Sequence, residues 1–310
     1  MRWPRWAIAL RNTPLHLLAR VVIALVRLLP EKAGYSVGRC LALTGWWCFP
    51  RWRRTASRNL ELFFGGALSA SERRSIGRQA AIHLGHYCIE FFRMGFLPVE
   101  KALAMVVEEE GMDHLRTALK LGRGAVALGM HYGNWDLSGA YLTSRGCPVH
   151  AVGKEQRDEF FTRLAFPTRA RFGMRNIYTG DKVNSAVLRA LKQNAVLGLL
   201  ADQNGGSTGT FAPFCGIPAS TVAGPAALAL KTGAPIMLVH TRRIAPGRHR
   251  LVVKPPLDMS GLPQEKGEAV TALLARVNAA YEQVIREDPT QWLWGHKRWK
   301  TRPPGEPPLY

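Results

Sequence analysis

Ala125-Val126-Ala127-Leu128-Gly129-Met130-His131-Tyr132-Gly133-Asn134-Trp135-Asp136 is the stretch that decides how this chain folds. Ala125–Met130 is apolar and too short for a helix, so it reads as a buried strand. A polar turn containing Gly133 follows, and Leu137–Thr143 then reads as a helix. Strand, tight turn and helix make the first half of a crossover unit. In open α/β sheets, ligands bind where such strands end. His131 stands at that end and Asp136 five residues on, at the helix start. The two side chains can turn toward each other, giving a general base with its own orienting acid. No serine or cysteine nucleophile lies beside them. The pair therefore suggests activation of a substrate hydroxyl rather than an enzyme-bound intermediate.

The same pattern recurs outward from this stretch. Val149–Val152, Ala195–Leu200, Ile236–Val239 and Leu251–Val253 are short, apolar and partly β-branched. Helical stretches at Asn134–Ser144, Lys182–Lys192 and Val222–Lys231 separate the first four strands. Strands alternating with helices predict a mostly parallel sheet covered on both faces. Two longer helices flank this region. One is Ser69–Met94, capped by Ser69 or Ser71. The other is Glu265–Arg286, whose Val270, Leu273, Leu274, Val277, Tyr281, Val284 and Ile285 recur every three to four residues.

The chain of 310 residues is 47% hydrophobic, enough for one large core or two modest ones. Its net charge is +20, from 42 basic and 22 acidic side chains. Such a balance favours anionic partners: nucleic acid, anionic lipid or an acidic carrier protein. Residues 1–60 carry eleven of the basic residues and one acid, Glu31. That concentration at one end fits a membrane-facing segment better than a diffuse nucleic-acid surface. Leu15–Leu29 is apolar but interrupted by Arg20 and Arg27, so it does not read as a clean spanning helix. Arg20 and Arg27 share one helical stripe, and Trp3 and Trp6 precede the run. An amphipathic helix lying in the membrane interface is the preferred reading; a helix packed on the protein's own core is the plainer one. Trp46, Trp47 and Trp52, beside Arg51, Arg53 and Arg54, suit the same interface and also fit nucleic-acid stacking; a helix end with a solvated basic turn is the plainer reading. The five cysteines are odd in number and widely spaced, which argues against a disulfide framework or zinc site and for reduced, mostly buried thiols.

Three further blocks hold candidate chemistry. Ala201-Asp202-Gln203-Asn204-Gly205-Gly206 follows the strand Ala195–Leu200 directly, so its loop reaches the same sheet edge as His131. Asp202 orients a basic group there or caps a loop. Phe211–Thr221 alternates apolar residues with glycine, could wall an acyl groove, and ends in Ser220 or Thr221 as a helix cap. Cys215 within it has no histidine nearby in sequence. In Gln291–Pro303 basic residues interleave with tryptophan, which fits phosphate binding or a solvated basic terminus. No third ligand accompanies His131 and Asp136, so neither a metal nor another cofactor is expected.

Taken in order, these blocks resemble one family, the bacterial lipid A late acyltransferases (lauroyl and myristoyl transferases), with the related phosphatidylinositol mannoside acyltransferases. His131 and Asp136 match its His-x-x-x-x-Asp/Glu motif, and Asp202 matches its strand-end acid. Phe214, Gly216, Pro218, Ala219 and Thr221 match a further block, followed by Thr232-Gly233-Ala234-Pro235. Trp294, His296, Arg298, Lys300, Thr301, Arg302 and Pro303 are the most specific match. The resemblance implies an α/β fold with a glycerol-3-phosphate acyltransferase-like, mostly parallel sheet flanked by helices. It implies a membrane-anchoring helical segment over 1–60 and an acyltransferase domain over 61–310. The activity implied moves an acyl group from an acyl carrier protein thioester to a hydroxyl of a lipid A precursor, at the cytoplasmic face of the bacterial inner membrane. His131 would be the general base and Asp136 would hold its tautomer. Asn134, Arg171, Asp202, Gly216, Thr221, His296 and Arg298 would bind substrate, with Arg169 and Arg175 as alternatives to Arg171. Expected partners are the carrier protein, an anionic glycolipid and the membrane surface, not nucleic acid. The lipid A branch commonly has Glu where this chain has Asp136, and the motif is close to that of the mannoside branch. Another glycolipid or a lysophospholipid is the same-class alternative; a non-catalytic basic protein binding membrane or RNA is the other.

Overall fold

A computed structural model describes residues 5–153, 159–178 and 183–310. Trp3, the side chain of Trp6 and Lys182 lie outside the described part.

The chain begins with four helices, α1 (Arg5–Leu28), α2 (Glu31–Cys48), α3 (Pro50–Phe64) and α4 (Ala70–Met94). Then come α5 (Val99–Leu103), β1 (Val106–Glu110), α6 (Met112–Lys120), β2 (Ala125–Gly129), α7 (Trp135–Ser144) and β3 (Val149–Gly153). They are followed by α8 (Glu159–Arg171), β4 (Arg175–Tyr178), α9 (Val183–Lys192) and β5 (Val196–Leu200). The last third holds β6 (Thr210–Phe214), β7 (Ile217–Thr221), α10 (Gly224–Thr232), β8 (Ile236–Ala245), β9 (Arg248–Val253) and α11 (Lys266–Glu287).

Seven strands form one sheet in the order β1-β9-β8-β2-β5-β3-β4. Every neighbouring pair is parallel except β8 with β9. The expected α/β architecture is therefore present, and the five expected strands lie within a few residues of their predicted starts. Two strands escape the pattern because they are edges. β1 reads Val-Val-Glu-Glu-Glu and buries only Val106; β4 buries only Ile177. Charged residues on an edge strand block pairing with another chain, and they also erase the apolar run.

Local chemistry starts the helices as expected in one case and not in another. Ser69 accepts from the Glu72 amide while the Glu72 carboxylate accepts from the Ser69 amide, a complete capping box. By contrast, Ser220 and Thr221 do not cap a helix. Thr210–Phe214 and Ile217–Thr221 form a two-stranded antiparallel hairpin. Its two-residue turn, Cys215-Gly216, has φ of 52° and 74°, the left-handed pair that matches strand twist. α10 starts after it, with Pro225 in its first turn. The hairpin's Ala212, Phe214 and Ala219 pack into the main core with Phe63, Trp292 and Trp299.

The cysteines are free thiols, but only Cys147 is fully buried; Cys40 and Cys48 lie on the outer side of α2. Of the tryptophan cluster, Trp46 is buried against Gly77 and Trp52, while Trp47 is 65% exposed. Among the described residues, no helix is long and apolar enough to cross a membrane.

Candidate active site

β2 and β5 are parallel neighbours in a register that places Gly129 opposite Leu200. Two residues beyond each lie His131 and Asp202, so the register alone brings these two side chains to one level. His131 Nδ1 is 2.8 Å from Asp202 Oδ1, and the His131 amide donates to Asp202 Oδ2 at 2.9 Å. The Trp292 indole N–H donates to the same Oδ2 at 2.8 Å. Asp202 is 1% exposed, and every one of these contacts favours its charged form. Burial pushes its carboxyl up, but His131 and these hydrogen bonds outweigh that and hold it below the usual carboxylate range.

The expected partnership of His131 with Asp136 is therefore corrected. Asp136 sits in the first turn of α7, and both its carboxylate oxygens are held by other partners. Its Oδ1 accepts from Arg169 Nε at 2.6 Å, and its Oδ2 from the Tyr87 hydroxyl at 2.7 Å. The preceding residue, Trp135, takes the flank of His131, with ring centroids 5.1 Å apart, and Tyr87 stacks on that indole at 3.6 Å. Consecutive helical side chains point about 100° apart, so Trp135 and Asp136 cannot both face the imidazole. Burial is the main reason that the Tyr87 phenol is pushed far up, with the Asp136 charge adding to it; the charge of Asp136 outweighs burial and holds the Arg169 guanidinium up.

The turn that carries His131 requires its glycine. Gly133 has φ of 58°, and a Cβ there would lie 1.8 Å from the Thr241 carbonyl oxygen. The neighbouring Asn134 is fully buried. Its Oδ1 caps α7 by accepting from the Leu137 amide, and its Nδ2 donates to Glu90. Glu90 is in turn paired with Arg243 at 2.7 Å and lies 3.1 Å from His249, all three buried. This buried group fixes the start of α7, and hence Trp135 and Asp136.

His131, Trp135, Asp136 and Arg169 line a cavity of about 740 Å³. It runs between α7 and the sheet, where the facing residues are small: Ala127 and Gly129 on β2, Ala151 and Gly153 on β3, Gly198 on β5 and Gly139 on α7. Leu142, Val149, Met174 and Val196 close its far end. A Cβ on Gly139 would lie 2.7 Å from Met174 Sδ, so the glycine is what lets α7 pack against that methionine at the wall of the cavity.

The other expected substrate-binding residues fall elsewhere. Arg171 donates to the Met94 carbonyl on the far side of α8, and it is Arg169 that reaches the cavity. Arg175 is exposed at the start of the edge strand β4. Asn134 is buried beneath the turn, and Gly216 lies in the hairpin turn without touching the cavity. Thr221 and Arg298 are both buried and bonded to each other, and Arg298 also holds the Ser220 carbonyl and Asn278. Burial pushes the Arg298 guanidinium down to about 10. His296 Nε2 accepts from the Asn204 amide, so it braces the loop that follows Asp202. The basic C-terminal block thus supports the site from behind. Tyr87 and Trp292 are site members that the sequence does not announce. Tyr87 carries no local signal on a long helix, and Trp292 is one of several tryptophans in a block that reads as phosphate-binding.

The chain's residues 8–301 match the model of the bacterial lipid A biosynthesis acyltransferase. The chain belongs to that family. It is an enzyme, an acyltransferase. It is 30% identical over 259 residues to the lipid A biosynthesis palmitoleoyltransferase of Escherichia coli (strain K12), covering 82% of this chain and 81% of that one. With the lipid A biosynthesis lauroyltransferase of the same organism it shares 28% over 292 residues, 93% of this chain and 92% of the other. The phosphatidylinositol mannoside acyltransferase of Mycobacterium tuberculosis (strain CDC 1551 / Oshkosh) is 29% identical over 221 residues, 69% of this chain and 67% of that one.

Proposed function

We propose that this acyltransferase moves a fatty acyl group from an acyl carrier protein thioester to a hydroxyl of a lipid A precursor. The observation that carries the reading is the 2.8 Å contact between His131 Nδ1 and Asp202 at the mouth of the slot. An ionised Asp202 accepts the Nδ1 proton, which leaves Nε2 as the basic nitrogen. Nε2 takes the proton of the acceptor hydroxyl as its oxygen attacks the thioester carbonyl carbon. The tetrahedral intermediate collapses by breaking the C–S bond. The imidazolium returns its proton to the departing thiolate, leaving an ester and a free thiol with His131 neutral again. Asp202 offsets the imidazolium charge in between. Arg169, fixed by Asp136, supplies the positive charge first expected of Arg171, suited to an anionic acceptor or a developing oxyanion. The slot of small residues takes the acyl chain.

The membrane reading rests on the first helices. Leu17, Leu18, Val21, Leu25 and Leu28 form an exposed apolar stripe on α1, and Trp47 and Phe49 are exposed at the α2–α3 corner. With the excess of basic residues there, this is the build of a segment lying in an anionic interface. We place the reaction at the cytoplasmic side of the bacterial inner membrane. A second reading, acylation of another glycolipid, is favoured by Asp at position 136 and by the similarity to mannoside acyltransferases. Labelled acyl carrier thioester with a tetra-acylated lipid A precursor tests both. Transfer lost in His131→Ala supports the chemistry, and unchanged transfer overturns it. Transfer only to a mannosylated lipid selects the second acceptor.

A further inference from the structure

A second cavity, of about 250 Å³, lies outside the reaction site, between α1, α4 and α8. Arg27, Arg163 and Arg171 line it, with apolar Ile23, Phe92 and Leu164. Arg169 turns from the same helix to Asp136, so α8 presents one arginine to the reaction cavity and two to this cleft. Arg171 Nη1 holds the Met94 carbonyl and Arg27 lies over the Phe96 ring at 5.6 Å, which fixes these guanidinium groups in place. All three arginine residues are exposed, so the cleft is open to solvent.

The position of this cleft relative to α1 gives it meaning. At about 100° per residue, Leu17, Leu18, Val21, Leu25 and Leu28 cover one face of the helix, and Arg20 and Arg27 fall together along one edge of it. A helix seated in a bilayer by that face would carry Arg27 at headgroup level. Cations over apolar walls match a phosphate ester attached to a glycerol and acyl chains, and guanidinium groups bind phosphate through paired N–H donors.

We propose that this cleft binds the phosphate of an anionic phospholipid headgroup from the surrounding bilayer, apart from either substrate of acyl transfer. The proposal rests on the interfacial placement of α1 given above. It predicts a site with defined geometry, not a diffuse attraction.

The full-length protein is tested on vesicles of phosphatidylcholine alone and with phosphatidylglycerol, by cosedimentation. Wild type binds both and prefers the anionic vesicles. Arg27→Gln with Arg163→Gln removes two cations and lowers the preference roughly 25-fold, at about fivefold for each arginine near an anionic surface, while binding to neutral vesicles persists. Arg27→Lys with Arg163→Lys keeps the charge and loses the paired donors, so most of the preference is still lost. Full rescue by lysine would overturn the site in favour of diffuse electrostatics. The site is equally overturned if Arg189→Gln with Lys192→Gln, at exposed positions on α9 outside both the cleft and the first helices, costs as much as the cleft pair. Unchanged melting temperatures exclude misfolding as the cause, and the lysine pair serves if the glutamine pair fails to fold. Free glycerol phosphate is the second arm. If wild type ignores every vesicle, the membrane reading and the lipid source fail together. If glycerol phosphate protects wild type against heat but not the variants, the anion cleft survives that failure.

Discussion

Replacing Asp202 with Asn separates the two acids that compete for the role of orienting His131. The substitution keeps the side-chain shape. One amide oxygen can still accept a hydrogen bond from the His131 amide or the Trp292 indole, which now converge on Oδ2. The amide nitrogen, facing Nδ1 at about the present 2.8 Å, would donate instead of accept. That forces the imidazole proton onto Nε2, the nitrogen that must take the proton of the acceptor hydroxyl. The imidazolium also loses its balancing charge. In a serine hydrolase the equivalent tautomer error lowers turnover about 10⁴-fold. We expect a loss of about 10³–10⁴ here, about 4–5.5 kcal/mol at roughly 1.36 kcal/mol per factor of ten. Single-turnover transfer from labelled acyl carrier thioester, read by mass spectrometry, measures it, with the melting temperature as a check on folding. Asp136→Asn is the control. It leaves the His131–Asp202 pair whole and releases Arg169 and Tyr87, so its damage should fall on acceptor binding and on stability. A D202N enzyme within a few-fold of wild type, beside a D136N enzyme crippled in turnover alone, would refute the assignment.

Other outcomes follow from the same geometry. Glu90→Gln strips Arg243 of its buried counter-charge and should lower stability by about 3–5 kcal/mol in urea unfolding. Gly198→Val puts a branched side chain into the slot beside Val149, and should shift the products toward shorter acyl chains in a competition between thioesters of different length. His83 and His86 are both pushed down to about 4, chiefly by burial and then by Arg243. Their folded forms bind protons less readily than the unfolded chain. Stability is therefore complete above about pH 6.5 and falls as pH drops toward 4, by at most about 1.4 kcal/mol per pH unit for His83 and less for the more exposed His86. Thermal melts from about pH 7 to pH 4 check this, and a flat profile would contradict it.

Much of the fold was legible because its signals are local. The apolar runs at 125–130, 149–152, 195–200, 236–239 and 251–253 are each short and bounded, and the helices between them carry their own period. The capping box at Ser69 needs only four residues. β1 and β4 were hidden because an edge strand buries few of its residues. The hairpin at 210–221 was hidden because a glycine turn and a helix start use overlapping residue types.

The site divides in the same way. That His131 ends a buried strand, and that Asp202 ends another, follows from sequence alone, because each belongs to its own run and turn. Which acid meets the histidine does not. That depends on β5 lying next to β2, with Leu200 opposite Gly129, and strand order arises from non-local pairing and helix packing. Five residues of separation made Asp136 the natural partner along the chain, but the helical rotation gives that place to Trp135 and sends Asp136 to Arg169. Sequence determined which groups stand at the sheet's edge; the order and register of the strands decided which of them touch.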